Sequence, residues 1–429
     1  MAGRGLVIAA PASGSGKTVL TLGLLRALRE RGLGVVAGKS GPDYIDPAFH
    51  AAATGAEAAN YDAWAMPPAR LRAQARAAPG RLLVIEGAMG LFDGAPPDGA
   101  GSSADLAAAL GLPVILIVDA ARQGASVAAL AEGFIGHRSD VRVAGLILNR
   151  VGSPRHERML RRALSGLAVP VLGAVGREDA LALPSRHLGL VQAGEHPGLE
   201  AFLAGAACIV SGCVDLERLA GLAAPITDTG ERYRRLDPPG QRVAVAQDAA
   251  FGFSYAHMLG DWRASGAEIL PFSPLADQAP DPSADAVVLP GGYPELHAGP
   301  IAAAERFRAG MQAAAARGAL IQGECGGYMV LGRGLIDAEG QRHRMLGLLG
   351  LETSFAERRL HLGYRRIEAL PGGPVTGRFR GHEFHYATTL RAEGEPAFRM
   401  RDAEGEDLGP AGLRHERIIG SFAHLIDRD

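Results

Sequence analysis

Gly5-Leu6-Val7-Ile8-Ala9-Ala10 is a short apolar run, Pro11 to Thr18 is a glycine-containing loop, and Val19 to Arg31 carries apolar residues at helical spacing. Strand, glycine loop and helix in that order are the context of a phosphate-binding loop. Backbone N–H groups at Gly14 and Gly16 and the helix N-terminus would cradle phosphates, Lys17 would reach their outer oxygens, and Thr18 would hold Mg2+. Pro11 stands where the strict motif has glycine, so the loop is a variant. ATP or a relative is expected here.

Lysine usage singles out the same region. Of 44 Lys plus Arg residues only Lys17 and Lys39 are lysines, and the other 42 are arginines. Where arginine has taken over every generic positive charge, a surviving lysine marks a place that needs a compact ammonium in preference to a planar guanidinium. A length of 429 residues exceeds one hydrophobic core and implies two or three domains. With 47% hydrophobic and 21% charged residues the composition is that of a soluble globular chain. A net charge of −2 argues against nucleic acid or an anionic membrane as the main partner. No apolar run reaches the roughly 18 residues of a membrane span. Three cysteines exclude a disulfide framework and suit a reducing cytoplasm.

Further strands are predicted at Leu33–Ala37, Leu82–Ile85, Val114–Val118 and Val143–Leu148, alternating with helical stretches. That rhythm predicts a doubly wound parallel sheet with ligands beyond the strands' carboxyl ends. The polar residues there are Lys39 with Asp43 and Asp46, Glu86 with Asp93, Asp119, and Asn149. Glu86 is either a Mg2+ carboxylate opposite Thr18 or a strand-end cap. Asp119 is equally a helix N-cap, and Asn149 either meets a purine edge or forms a turn. Lys39-Ser40-Gly41-Pro42-Asp43-Tyr44-Ile45-Asp46-Pro47 combines a rare lysine, two carboxylates and a tyrosine, and is the expected meeting place of ATP and an acceptor.

Gly221 to Gln241 reads as a linker, after which strands recur at Val243–Ala246, Ala267–Leu270, Ala286–Leu289, Leu320–Gln322 and Ile418–Gly420. The predicted domains are residues 1–235 and 240–429. Leu320 to Met329 is strand, tight glycine turn and helix around Cys325, the elbow logic of a covalent nucleophile, with a helix N-terminus expected to lower the thiol pKa. The turn amides after Cys325, at Gly326, and in Pro290-Gly291-Gly292, at Gly292, are candidate oxyanion donors. His424 after the last predicted strand is a candidate base, with His382 and His385 as competitors. Cys208 and Cys213 lie in an apolar, small-residue segment and are expected in the core. No Cys/His spacing of a zinc site is present.

The second half resembles a class I glutamine amidotransferase domain of the type that accompanies corrin amidation. The resemblance is carried by Pro290-Gly291-Gly292-Tyr293-Pro294-Glu295, Gly323-Glu324-Cys325-Gly326-Gly327, Gly381-His382-Glu383-Phe384-His385-Tyr386 and Ser421-Phe422-Ala423-His424. The first half resembles the dethiobiotin-synthetase-like ATP domain of the same enzymes. Together they cover nearly the whole chain and are similar to the hydrogenobyrinic or cobyrinic acid a,c-diamide synthase family. Gly41 to Pro47 and Glu86 to Gly94 are the most specific blocks and are lacking in the related cobyric acid synthases.

The resemblance implies that ATP phosphorylates an acetate carboxylate of a corrinoid polycarboxylate. Cys325, aided by His424, releases ammonia from L-glutamine, and the ammonia displaces phosphate, first at the c and then at the a acetate. It further implies nucleotide contacts at Lys17 and Thr18, Mg2+ contacts at Thr18, Asp43 and Glu86, and substrate contacts at Lys39, Asp43, Tyr44, Ile45 and Asp93. A homodimer is an open expectation. Amidotransferases of this class carry Glu two residues after the histidine, but here Ile426 stands there and Asp427 is one place late. The resemblance implies that the corrin-type enzymes share this loss and work with a Cys–His dyad; the histidine's orienting partner is therefore unassigned, with Glu383 a candidate. Two rival readings keep part of this pattern: the same ligation on sirohydrochlorin, and a partition-type ATPase switch. The switch proteins carry an extra lysine five places before the loop lysine, where this chain has Ala12.

Overall fold

The computed structural model describes residues 3–77, 80–181, 198–227 and 230–429. The chain divides into two units, Met1–Tyr233 and Arg234–Asp429. In the first, β1 (Arg4–Ala9), β2 (Val35–Ser40), β3 (Ala59–Tyr61), β4 (Leu82–Glu86), β5 (Val114–Asp119), β6 (Val143–Val151) and β7 (Val171–Gly176) form a parallel sheet ordered β3-β2-β4-β1-β5-β6-β7. The short β8 (Ala224–Pro225) pairs antiparallel with β1, so a piece of the predicted linker belongs to this sheet. The connecting helices are α1 (Lys17–Glu30), α2 (Asp46–Thr54), α3 (Pro68–Arg76), α4 (Ser103–Leu110), α5 (Val127–Gly136), α6 (Pro154–Leu164), α7 (Leu199–Cys213) and α8 (Leu216–Leu222).

Strand order reverses around β1, between β4 and β5, which opens the crevice at its carboxyl end where ligands of such sheets bind. Leu20, Leu24, Leu25 and Leu28 of α1 are no more than 1% exposed, and burial of each stabilises the unit by about 1.5–3 kcal/mol. That packing anchors the helix whose first residue is Lys17. β2 runs on to Ser40, past the predicted Ala37, so Lys39 sits in the strand beside Glu86 of β4.

Cys208 and Cys213 are exposed, contrary to the core expectation. α7 buries the stripe Leu203, Ala206, Ala207 and Val210, and the two cysteines fall off that face.

The second unit has a six-stranded sheet ordered β10-β9-β11-β12-β22-β21. Its strands are β9 (Arg242–Ala246), β10 (Glu268–Phe272), β11 (Ala286–Leu289), β12 (Leu320–Glu324), β21 (Leu413–His415) and β22 (Ile418–Ser421). Helices α9 (Ala256–Ala264), α10 (Ala298–Ala303), α11 (Glu305–Ala316) and α12 (Gly326–Leu331) accompany it. Two smaller sheets were not expected from the sequence. One joins β13 (Gly334–Ile336), β14 (Arg342–Arg344), β15 (Gly350–Ser354) and β18 (Thr388–Glu393). The other is antiparallel and ordered β20-β19-β16-β17-β23, from β16 (His361–Ala369), β17 (Arg378–His385), β19 (Phe398–Arg401), β20 (Asp407–Ala411) and β23 (Ala423–Arg428). His424 therefore lies within a further strand, where β17 sets His382 directly opposite it. Among the described residues no helix is long and apolar enough to cross a membrane.

Candidate active sites

The glycine loop leaves β1 and enters α1 through Gly16 at φ 84°, a left-handed conformation that glycine adopts without a Cβ penalty. Thr18 Oγ1 donates to Glu86 Oε1 at 2.6 Å, and Lys17 Nζ donates to the Met89 carbonyl at 2.6 Å. Glu86 is fully buried. Its Oε1 also accepts from Lys39 Nζ at 2.9 Å, and its Oε2 meets His50 Nε2 at 2.7 Å. Lys39 makes a second ion pair, with Asp46. The Thr18 hydroxyl, at the end of the glycine loop, and a Glu86 carboxylate oxygen this close are the hard donors that Mg2+ accepts.

The charges in this cluster hold one another. Burial alone would push Glu86 up, but Lys39 and the His50 hydrogen bond hold it well below the usual carboxylate range. Burial likewise works against the Lys39 ammonium and is outweighed by Glu86, Asp46 and Asp43, which raise it. Asp46 is pushed up to about 6, by burial first and then by Asp43. Lys17 is lowered by burial, with Glu86 opposing.

Asp43 Oδ1 accepts from the amides of Ile45 and Asp46 at 2.8 and 3.1 Å, which shapes the entry to α2. Asn60 Nδ2 secures the same loop through the carbonyls of Gly41 and Asp43 at 3.0 and 2.6 Å. Tyr44 and Ile45 are half-buried in it. Asp93, which is exposed, accepts from the Gly90 amide at 2.8 Å. Asn149 is buried and braces the phosphate loop, donating from Nδ2 to the Ser15 carbonyl at 2.9 Å. Asp119 accepts from the Ala121 amide at 3.0 Å and pairs with Arg150 at 2.6 Å. His50 escaped the sequence reading; its signal was a histidine on the buried face of the helix that follows the Lys39 loop.

In the second unit Cys325 ends β12 and opens α12 at φ 47°, ψ −107°, a strained conformation for a residue with a side chain. Its amide donates to the Ser421 carbonyl at 2.8 Å, and its Sγ lies 3.6 Å from the Phe384 carbonyl. Gly291 is required by close approach: a Cβ there would stand 2.2 Å from His424 Cε1, 3.0 Å from His424 Nε2 and 3.3 Å from Cys325 Cβ. The Cys325 side chain and the Cε1–Nε2 edge of the His424 ring thus converge on one glycine. A Cβ on Gly326 would lie 3.1 Å from the Gly292 nitrogen, so the two candidate oxyanion turns are also in contact. The expected lowering of the thiol pKa is reversed: burial, then Glu295, push Cys325 up, and the Gly326 amide only partly opposes them.

His424 is 1% exposed, and burial followed by His382 and His385 pushes it down to about 3. Its Nδ1 lies 3.8 Å from Glu324 Oε2, and burial pushes Glu324 up to about 7. Glu383 is engaged elsewhere, with Arg365 Nε at 2.7 Å and His385 Nε2 at 2.9 Å. Burial works against its charge, yet His385 and Arg365 hold it down at about 2. The His385 ring stacks between His361 and Phe422. Donor atoms of His361, Glu383 and His385 lie within 4.8 Å of one another, a grouping that sequence spacing did not reveal.

A phosphate loop with a buried carboxylate in one unit and a cysteine–histidine elbow in the other define the class of nucleotide-using glutamine amidotransferases. Residues 6–191 match the CobQ/CobB/MinD/ParA nucleotide binding domain, and residues 242–428 match the CobB/CobQ-like glutamine amidotransferase domain. The hydrogenobyrinate a,c-diamide synthase of Rhizobium meliloti (strain 1021) is 61% identical over 428 residues, covering 99% of each chain. That of Sinorhizobium sp. is 59% identical over 429 residues, and that of Rhodobacter capsulatus 55% over 431, each covering 99% of this chain and 98% of the relative. The chain belongs to the hydrogenobyrinate a,c-diamide synthase family.

Proposed function

We propose that this chain converts hydrogenobyrinic acid to its a,c-diamide, using ATP and L-glutamine. The observation that carries the reading is full-length identity, 61% across 99% of both chains, with a relative that bears that name. The name of that relative also favours the cobalt-free ring over cobyrinic acid and sirohydrochlorin. A switch ATPase has no use for the Cys325 elbow.

In the first unit Gly14 and Gly16 free the loop amides for phosphates, Asn149 braces the loop through Ser15, and Lys17 offsets charge on the outer phosphates. Thr18, Glu86 and Asp43 would hold Mg2+, which would neutralise charge on the phosphate oxygens. Tyr44, Ile45 and Asp93 position the acetate, and Lys39 offsets charge between it and the γ-phosphate. The carboxylate oxygen attacks the γ-phosphorus, ADP leaves, and an acyl phosphate forms.

In the second unit Cys325 passes its proton to His424 and attacks the glutamine amide carbon. The tetrahedral oxyanion faces the Gly292 and Gly326 amides. It collapses to a thioester as ammonia departs with the proton from His424, and water then releases glutamate. Ammonia attacks the acyl phosphate carbon, phosphate leaves, and an amide remains. Burial holds the Cys325 thiol pKa up in the absence of glutamine, so its proton has to be taken by His424 as it attacks. Both ATP and glutamine are pools of the cytoplasm, where this reading places the enzyme.

The test is a mass-spectrometric product assay with ATP, Mg2+ and glutamine, offering hydrogenobyrinic acid, cobyrinic acid and sirohydrochlorin in parallel. A diamide from hydrogenobyrinic acid is expected. A diamide from another ring only would overturn the substrate, and no amide from any ring would overturn the ligation.

A further inference from the structure

We infer that Glu324 is the positioning residue of His424, holding the Nδ1 side of the imidazole so that Nε2 is turned to Cys325, in place of the carboxylate that this chain lacks two residues after the histidine. The inference rests on the glutaminase reading of the second unit.

The geometry has three parts. First, the two ends of the ring face different neighbours: Nε2 converges with Cys325 on Gly291, and Nδ1 stands 3.8 Å from Glu324 Oε2. Second, the carboxylate is itself fixed. Its Oε1 accepts from Gln322 Nε2 at 3.0 Å and lies 3.5 Å from the amide of Leu425, the residue after His424. Third, the strained turn at φ 47° carries the Cys325 side chain off the strand while Glu324 stays at the end of β12. Acid and nucleophile are thus adjacent in sequence yet address opposite ends of one histidine.

The chemistry requires such a group. On taking the thiol proton at Nε2, His424 becomes an imidazolium in a site that is 1% exposed. Among its neighbours His382 and His385 oppose that cation and Glu383 favours it. Glu383 is already shared between Arg365 and His385, and Asp427 Oδ1 accepts from the Arg428 amide. Glu324 is the carboxylate at the Nδ1 end. Burial pushes the Glu324 carboxyl up to about 7, so its anionic form, 3.8 Å from Nδ1, grows in through neutrality. During the cycle the proton passes from Cys325 Sγ to Nε2 and on to the departing ammonia; Glu324 holds its counter-charge and transfers nothing.

The experiment compares wild type, E324Q and E324D in the full chain. Readouts are glutaminase kcat and KM, ammonia-supported amidation, and the rate at which a diazo-ketone glutamine analogue alkylates Cys325, followed on its peptide from pH 5.5 to 9. E324Q is expected to lower glutaminase kcat about 10²-fold or more, with KM for glutamine within about threefold and ammonia-supported amidation intact. The wild-type alkylation rate should rise through about pH 7, and E324Q should lose that step. E324D, with the charge on a shorter arm, should keep the step and recover part of the kcat; it carries the same comparison if E324Q does not fold. A wild-type kcat in E324Q, or in E324D an alkylation profile without the step, overturns the role of Glu324. Absence of glutaminase activity in the wild type overturns the reading beneath it instead.

Discussion

Lys39→Met removes one ammonium from a buried charge cluster. Glu86 is 0% exposed and Lys39 4%. The carboxylate has three partners, Lys39 at 2.9 Å, His50 at 2.7 Å and Thr18 at 2.6 Å. Breaking a buried pair by removing one member costs about 3–5 kcal/mol, and the two remaining hydrogen bonds put this case at the lower end, about 3. For a unit of this size each kcal/mol moves Tm by about 2–4 °C, so the expected fall is about 6–12 °C.

The pH dependence has a definite sign. Glu86 is held below its unfolded value of about 4.3, so its stabilisation is present above that pH and fades as pH falls below it. Without Lys39, burial raises Glu86, and Asp46 loses the same partner, so both gain from protonation. The gap between wild type and K39M should be widest near pH 8 and narrow toward pH 4. Calorimetry reads it, with the transition that ATP shifts assigned to the first unit. The double variant K39M/E86Q should lose less than the two single losses added together. K39R should also fall, because a planar guanidinium does not reproduce the compact ammonium's pairing with both Glu86 and Asp46 at a buried position. A Tm loss under about 2 °C at pH 8, or a gap that widens on acidification, would refute the reasoning.

Three further outcomes follow from the sites. C325A should abolish glutamine-dependent amidation and retain amidation with high ammonium in the product assay; loss of both would contradict separate reactions. G291A, whose Cβ would stand 2.2 Å from His424 Cε1, should cut glutaminase kcat by about 10²-fold or more and leave ammonia-supported amidation unchanged. D43N should keep glutaminase activity and lower amidation at least about tenfold, since its carboxylate shapes the Lys39 loop; an unchanged diamide yield removes Asp43 from the substrate site.

What the sequence showed was what chain neighbours build together. The phosphate loop is eight consecutive residues between a strand and a helix, and Cys325 sits in a turn of the same kind, so both were readable from pattern and glycine placement. Cys208 and Cys213 were misplaced because composition was weighed over period: α7 buries one narrow stripe, and residues off it are exposed whatever their hydropathy. The small antiparallel sheets escaped because strands such as β16, His361–Ala369, bury little but Ile367 and offer no apolar alternation to read.

The pairings that matter most to the chemistry were the least legible. His50 reaches Glu86 from 36 residues away, and the reason is topological: α2 follows β2, β2 pairs with β4, and the helix lays its buried histidine over the end of the neighbouring strand. The absent carboxylate after His424 posed the same problem in reverse. A search along the chain from the histidine finds Ile426 and Asp427, whereas the sheet order β12-β22 and the pairing of β23 with β17 bring Glu324 to the ring from the nucleophile's own strand. On the Glu324 proposal a triad-like arrangement survives the loss of its motif, because the histidine needs a charge at one end and is indifferent to which strand provides it. Motif spacing records the strand and not the charge, so a missing motif residue is evidence about the route of the chain before it is evidence about the chemistry.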